Sequence, residues 1–233
     1  MASLTVENYV KAIYVLCSQQ HGAPAATGQI AEALKVSPGT VTSMLKTLGE
    51  TRLATYTPYE GVRLTQAGAA LALRILRRHR LIELFLVKTL DLNWDEVHEE
   101  AEHMEHAVSD ALVDRIDAYL GYPETDPHGD PIPKADGTID QATNHSLADC
   151  QLGQQFCLVR VLDQSPEFLR YLSGEGLALG AQGRIIANSL EADTVTIRIG
   201  ERSVDHVTLG RAATEKLLVT SESGKPKAES GKQ

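Results

Sequence analysis

The segment Val36-Ser37-Pro38-Gly39 constrains this 233-residue chain more than any other. Ser37 is a helix-capping residue, and Pro38 suits the first helical position, where its missing N–H does no harm. Thr27–Leu34 precedes this turn as a short apolar-periodic segment that Thr27 is expected to cap. Thr40–Leu48 follows it, with Val41, Met44, Leu45 and Leu48 on one face. A first helix is expected over 5–16, with Thr5 at its cap. Leu53–Thr65 reads as two short strands around a turn holding Pro58 and Gly61. Short helix, tight turn, second helix and β-wing make a winged helix-turn-helix. The outer face of its third helix carries Thr40, Thr42, Ser43 and Lys46, small hydroxyls and one cation suited to phosphates and base edges. Arg63 and Tyr59 lie on the wing. A helical hairpin that serves protein contacts is the plainer alternative.

Net charge is −9, which taken whole argues against a nucleic-acid partner. The charge is unevenly spread. Residues 1–65 hold five Lys/Arg and four Glu, whereas residues 66–145 hold seven Lys/Arg and sixteen Asp/Glu. The acidity therefore lies in the middle of the chain. No apolar run approaches a membrane span, and the first residues lack the basic and apolar parts of a secretory signal. Three cysteines, Cys17, Cys150 and Cys157, are too few and too scattered for a disulfide framework, so a cytoplasmic protein is expected.

The middle is helical by periodicity: 66–92, a helix from 93 through Met104, and an amphipathic segment over 108–120. Its apolar surface exceeds what solvated helices can hide, so a homodimer is expected. Residues 66–140 form this helical domain, and 141–148 a linker after a Pro/Gly/Asp-rich connection. Residues 149–220 carry β-runs at 156–162, 184–189, 194–199 and 206–209, with a helix near 166–172, and read as a small barrel-like domain. Residues 221–233 are expected to be a disordered tail. The fold class is therefore mainly α with a small β part.

The chemistry concentrates at His98-Glu99-Glu100-Ala101-Glu102-His103-Met104-Glu105-His106. On a helix, His98, Glu102, Glu105 and His106 share a stripe. His79 and Glu83 pair in the same way upstream. Imidazoles and carboxylates without thiolates suit Mn²⁺, Fe²⁺, Co²⁺ or Zn²⁺. His98 and His106 lie roughly 12 Å apart along a helix, while metal–nitrogen bonds are about 2 Å, so two sites are implied. One is built on Glu102, Glu105 and His106; the other joins His98 to His79 and Glu83. A solvated acidic helix is the alternative, but its like-charge neighbours repel one another without a counter-ion. No HExxH and no nucleophile–base arrangement is found, so no catalytic residue is assigned. A metal-dependent hydrolase with a nucleic-acid-binding domain, and a winged-helix adaptor with a structural metal, are the competing functions. His128 reads as an ordinary turn histidine.

Several of these motifs together resemble the diphtheria-toxin-repressor / manganese-transport-regulator (DtxR/MntR) family of metal-dependent transcriptional repressors. They are Glu7-Asn8-Tyr9 with Ala12-Ile13-Tyr14, Ser37-Pro38-Gly39-Thr40-Val41, Leu64-Thr65-Gln66-Ala67-Gly68, Arg78-His79-Arg80-Leu81-Ile82-Glu83, Val97-His98-Glu99-Glu100-Ala101-Glu102 with Glu105-His106, and Asp126-Pro127-His128-Gly129 with Pro131-Ile132-Pro133. The resemblance implies a C-terminal SH3-like/FeoA-like β-barrel. It also implies a primary site at Glu102, Glu105 and His106, completed by Asn8, with Asp126 as an extra ligand. An ancillary site would use His79, Glu83 and His98, plus Asp163, with Gln164 or Glu167 behind it. Glu102 stands where iron-responsive members carry Cys, which resembles the manganese-responsive branch. The implied cofactor is Mn²⁺ or Fe²⁺, with Co²⁺, Cd²⁺ or Zn²⁺ as substitutes. The implied partner is a pseudo-palindromic operator in double-stranded DNA. Thr27, Ser37, Pro38, Gly39, Thr40, Thr42, Ser43, Lys46 and Arg63 would face it.

Overall fold

The computed structural model describes residues 3–140, 143–200 and 206–221. They divide into two compact units, the first drawn from residues 1–82, 101–121 and 132–139, the second from residues 83–100, 122–131 and 140–233. The tail read as disordered lies, beyond Ser221, outside the described residues, as do 141 and 142 of the expected linker.

The first unit opens with helices α1 (Leu4–Gln19), α2 (Thr27–Ala33) and α3 (Pro38–Glu50). Ser3, not Thr5, caps α1, accepting from the Val6 N–H. Thr27 is the first residue of α2 rather than its cap; Ala26 stands there, and its N–H donates to the Gln29 side chain at 2.9 Å. Ser37 caps α3 with Pro38 at its start. Strands β1 (Ala54–Thr57) and β2 (Gly61–Leu64) form the wing, paired antiparallel from Ala54↔Leu64 to Thr57↔Gly61. Val10 and Ile13 of α1, Ile30 of α2, Val41, Leu45 and Leu48 of α3, Val62 of β2 and Ile75 share one buried core. Burial of such side chains at about 25 cal/mol per Å² outweighs local helix propensity, so α1 and α3 are held as one body.

Three further helices follow: α4 (Gln66–Leu90), α5 (Val97–Met104) and α6 (Asp110–Tyr119). Gly68 lets the start of α4 approach the wing, because a Cβ there would stand 2.0 Å from the Leu53 carbonyl oxygen. Arg77 is buried. It bonds Asp117 at 2.8 Å and the Pro133 carbonyl at 3.2 Å, which fastens α6 and residues 132–133 to α4. Arg74 and Arg78 both clasp Asp110, which holds that carboxyl below its ordinary range.

In the second unit, strands β3 (His145–Ser146), β4 (Gln155–Val161), β5 (Gln182–Ser189), β6 (Thr194–Ile199), β7 (His206–Gly210) and β8 (Leu217–Thr220) form one antiparallel sheet. Their order is β3-β8-β4-β5-β6-β7. The expected barrel is not closed. Among the described residues β3 and β7 are the two edges, and β3 pairs over only His145↔Val219 and Ser146↔Leu218. Helix α7 (Pro166–Gly174) buries Leu169 and Leu172 in the core with Phe156, Leu158, Ile185, Ile197 and Leu217. Two elements escaped the pattern. Strand β8 is a four-residue run with no alternation, and β3 falls within the segment read as linker, beside a 3-10 turn whose Leu147 is fully buried. A last short helix, α8 (Arg211–Thr214), leads into β8.

Candidate metal centre and nucleic-acid interface

Helix α5 ends at Met104, but the Glu105 N–H still reaches the Ala101 carbonyl at 2.9 Å. That extra turn carries Glu105 into the first unit's interior, where it is fully buried. Three further side chains meet it there. His79 Nδ1 lies 2.6 Å from Glu105 Oε2. Lys11 Nζ donates to Glu105 Oε2 and Oε1 at 2.8 and 2.9 Å, and to Glu102 Oε1 at 2.6 Å. On the other side, His106 Nε2 stands 3.3 Å from Glu105 Oε1.

The His106 ring is oriented from behind. Its Nδ1 lies 2.7 Å from Glu7 Oε2, a carboxylate that can only accept, so Nδ1 carries the proton. In the neutral ring Nε2 is then the bare lone pair; it is buried and without a hydrogen-bond partner. Asn8 Oδ1, on the neighbouring residue of α1, is also buried without one. Such acceptors are costly to bury against nothing. A nitrogen and an oxygen lone pair 3.3 Å apart suit a divalent ion at 2.0–2.2 Å from each. The donor set, imidazole with carboxylate and amide oxygens, fits a divalent ion of manganese or iron character. A carboxylate on the far nitrogen of a ligating histidine is the usual supporting arrangement in metal sites.

The second unit holds a separate group. Glu83, Asp126 and His128 are all buried and offer ligand atoms within 4.8 Å of one another. His128 Nε2 donates to the Trp94 carbonyl at 2.8 Å, so in the neutral ring Nδ1 is the bare nitrogen. That Nδ1 is buried with no hydrogen-bond partner, 3.9 Å from Glu83 Oε2. Glu83 Oε1 meets His98 Nδ1 at 3.2 Å. Asp126 Oδ1 accepts from the N–H groups of His128 and Asp130 at 2.8 and 2.9 Å, which holds the turn in shape.

The expected ligand sets are thus partly regrouped. Glu105 stands 3.3 Å from His106 and shares Lys11 with Glu102, but Glu102, Glu105 and His106 form no group of ligand atoms within 4.8 Å of one another among the described residues; Asn8 follows Glu7 on α1. His79, assigned with Glu83 and His98, keeps that grouping and also hydrogen-bonds to Glu105. Asp126, assigned to the primary site, groups with Glu83 and His128. Asp163 joins neither group among the described residues: its Oδ2 pairs with Lys216 at 2.7 Å and its Oδ1 accepts the Ser165 N–H. Burial pushes its carboxyl up, but the Lys216 ammonium and the Ser165 amide outweigh burial and hold it below the ordinary range. Gln164 donates to Asp130, and Glu167 is 81% exposed beside Arg170 on α7.

The outer face of α3 is open. Ser37, Pro38, Gly39, Thr40, Thr42, Ser43 and Lys46 are all exposed, and Thr27 is half-buried at the start of α2. The Thr42 hydroxyl turns back to the Pro38 carbonyl at 3.0 Å, and Thr40 bonds Ser37, so these hydroxyls also stiffen the first turn. Arg63, on β2, is held to the Gly22 carbonyl, and Tyr59 stands fully exposed at the wing tip.

Residues 1–62 match the family described as iron dependent repressor, N-terminal DNA binding domain, and residues 65–134 match its metal binding and dimerisation domain. A solved manganese-dependent transcriptional repressor in complex with manganese is 38% identical, with a TM-score of 0.83 over 93% of this chain and 99% of that one. The chain belongs to the DtxR/MntR family of transcriptional repressors. Within that family, the HTH-type transcriptional regulator MntR of Geobacillus thermodenitrificans is 32% identical over 126 residues, 54% of this chain and 87% of that protein. The iron-dependent repressor IdeR of Mycobacterium tuberculosis is 36% identical over 129 residues, 55% of each protein. Residues 145–221 match a FeoA domain. Three residues of the two clusters escaped sequence reasoning: Glu7, Lys11 and His128. Only Lys11 left a helical signal, four residues after Glu7 on α1, and nothing local distinguished it from a solvated lysine.

Proposed function

We propose that this family member is a metal-activated DNA-binding regulator of metal-ion homeostasis genes, acting as a homodimer in the cytoplasm, and not an enzyme. Mn²⁺ is the proposed activator, because Glu102 rather than a thiolate stands in the cluster and all donors are nitrogen or oxygen. The observation that carries the reading is the orphaned His106 Nε2, 3.3 Å from the buried Glu105, on a ring that Glu7 holds from α1, where the next residue's Asn8 Oδ1 is orphaned too. Glu105, His106 and Asn8 would hold the ion, with Glu7 fixing the imidazole. A bound divalent ion supplies positive charge and directed coordination there. Glu83, Asp126 and His128, with His98, are proposed as the second position.

Asn8 lies on α1, whereas Glu105 and His106 follow α5. Val10 and Ile13 of α1 share a core with Val41 and Leu45 of α3. Ligands that hold α1 to α5 therefore hold the reading helix too. In a dimer, the separation of two such helices decides whether both enter successive major grooves. Leu112 and Tyr119, exposed and seven residues apart on α6, offer an apolar face for the second copy. Residues 1–65 are proposed as the DNA-reading part, 66–140 as the metal-binding and dimerising part, and 149–220 as the C-terminal domain. The operator is proposed to be pseudo-palindromic, matching the dimer's two-fold symmetry.

The test is a gel-shift titration of a family-type operator with Mn²⁺ against a chelator control. Glu105→Ala should abolish the metal-dependent shift while leaving a folded dimer by gel filtration. Wild-type DNA affinity in that variant, or no metal response in the parent protein, would refute the reading.

A further inference from the structure

Lys11 reaches both Glu102 and Glu105 of the first cluster. Its ammonium stands 2.6 Å from Glu102 Oε1, 2.8 and 2.9 Å from the two oxygens of Glu105, and 3.2 Å from His79 Nδ1. Those three residues are themselves a group whose ligand atoms lie within 4.8 Å of one another, the spacing of a divalent-ion site. A nitrogen surrounded at such distances by two carboxylates and an imidazole sits where an ion would sit. Glu105 is then shared. Oε1 lies 3.3 Å from His106 Nε2 and 2.9 Å from Lys11, and Oε2 lies between Lys11 and His79.

We propose that Lys11 is the resident cation of a two-cation cluster: the ammonium fills the position made by His79, Glu102 and Glu105, and only the position at His106, Asn8 and Glu105 is left for a metal ion. The inference rests on the metal-centre reading given above and deepens it. A lysine is a compact, strongly hydrated point charge on a flexible stem, and its burial among carboxylates is favourable only if those contacts replace its water. Here the ammonium has three carboxylate contacts at hydrogen-bond length, and its side chain is 12% exposed. Two consequences follow. The chain takes one ion fewer per protomer than its carboxylates and imidazoles would otherwise bind. And α1 is tethered to α5 through Lys11 before any metal arrives, so the ion completes an arrangement that is already half made.

The experiment is a count of bound Mn²⁺ on the full, chelator-stripped chain, read from the electron paramagnetic resonance signal of free Mn²⁺ and by calorimetry, with no DNA present. Lys11→Met should bind one more Mn²⁺ per protomer than the parent. Lys11→Arg, which keeps a cation, should match the parent, and Lys11→Met/Glu102→Gln should return to the parent's count. Lys11→Met should also melt lower than the parent in chelator and recover with Mn²⁺, which separates a vacated ion position from a misfolded variant. An unchanged count in Lys11→Met, or a melting loss that Mn²⁺ does not restore, would overturn the assignment. A parent that binds no ion beside a Lys11→Met chain that binds one would support the lysine's role and sink the metal-activation reading instead.

Discussion

His106 and Glu7 stand 99 residues apart in the chain, and their side chains meet at 2.7 Å. The contact sets which imidazole nitrogen is bare, and so which face of His106 can bind an ion. Glu7→Ala removes that support while leaving every proposed ligand in place. A loss of about 10–100-fold in Mn²⁺ affinity is expected, as for other supporting partners of metal-bound histidines. Calorimetric titration of the variant checks it; parental affinity would show that Glu7 is a bystander.

His128 is buried in the second unit with Nδ1 aimed at Glu83. His128→Ala deletes both the bare nitrogen and the bond to Trp94. One Mn²⁺ fewer per protomer is expected, together with a stability loss of about 1–3 kcal/mol from the unpaired Trp94 carbonyl and lost packing. Equilibrium dialysis and denaturant unfolding measure the two effects separately.

Lys46 is exposed on α3 with no carboxylate bonded to it among the described ion pairs. A contact from it to a phosphate contributes counter-ion release rather than sequence reading. Lys46→Ala should weaken cognate and non-cognate DNA alike, and should lower the slope of log affinity against log salt by about 1 per protomer. A loss confined to one operator sequence would mean that Lys46 reads a base.

Gly68 has no room for a side chain, because its Cβ would meet the Leu53 carbonyl oxygen at 2.0 Å. Gly129 is as close and also left-handed: its φ is +85° and a Cβ would stand 2.0 Å from the Val159 carbonyl oxygen. Either substitution to alanine should cost about 3 kcal/mol, since backbone must move rather than a flexible side-chain tip. Urea unfolding of each variant reads this directly, and a midpoint within experimental scatter of the parent would contradict it.

Cys150 is buried, and burial foremost, with the Asp149 charge behind it, pushes its thiol up to about 11. The group therefore stays protonated in the folded chain at pH values where an unfolded cysteine ionises, near 8.5. Folded stability from this residue is fully present below about 8.5 and falls as pH rises from there toward 11. Iodoacetamide at pH 8, followed by peptide mapping, should modify Cys150 last of the three cysteines.

Local physics made much of this chain legible from its residues alone. The Ser37-Pro38 start of α3, the two-strand wing and the long α4 are dictated by capping, φ restriction and apolar period, interactions that act within a few residues. The same period put Glu102, Glu105 and His106 on one side of α5 and its following turn. Where the chain returns to itself, these rules fall silent. A two-residue β3 has no pattern of its own; it is a strand because β8 offers it a ladder.

The division of labour in the metal cluster belongs to tertiary structure. Spacing made His79 a neighbour of Glu83, and packing also brought its Nδ1 to Glu105. Asp126 looked like one more primary ligand, yet its turn carries it to Glu83 and His128. Most of all, α1 brings a carboxylate, Glu7, to His106 and an ammonium, Lys11, to Glu105. The composition of the site was thus written in the order of the residues, because helical geometry repeats every few positions. Its charge balance was decided only when α1 packed beside the turn after α5, because Coulomb and hydrogen-bond energies depend on distances in space and not along the chain.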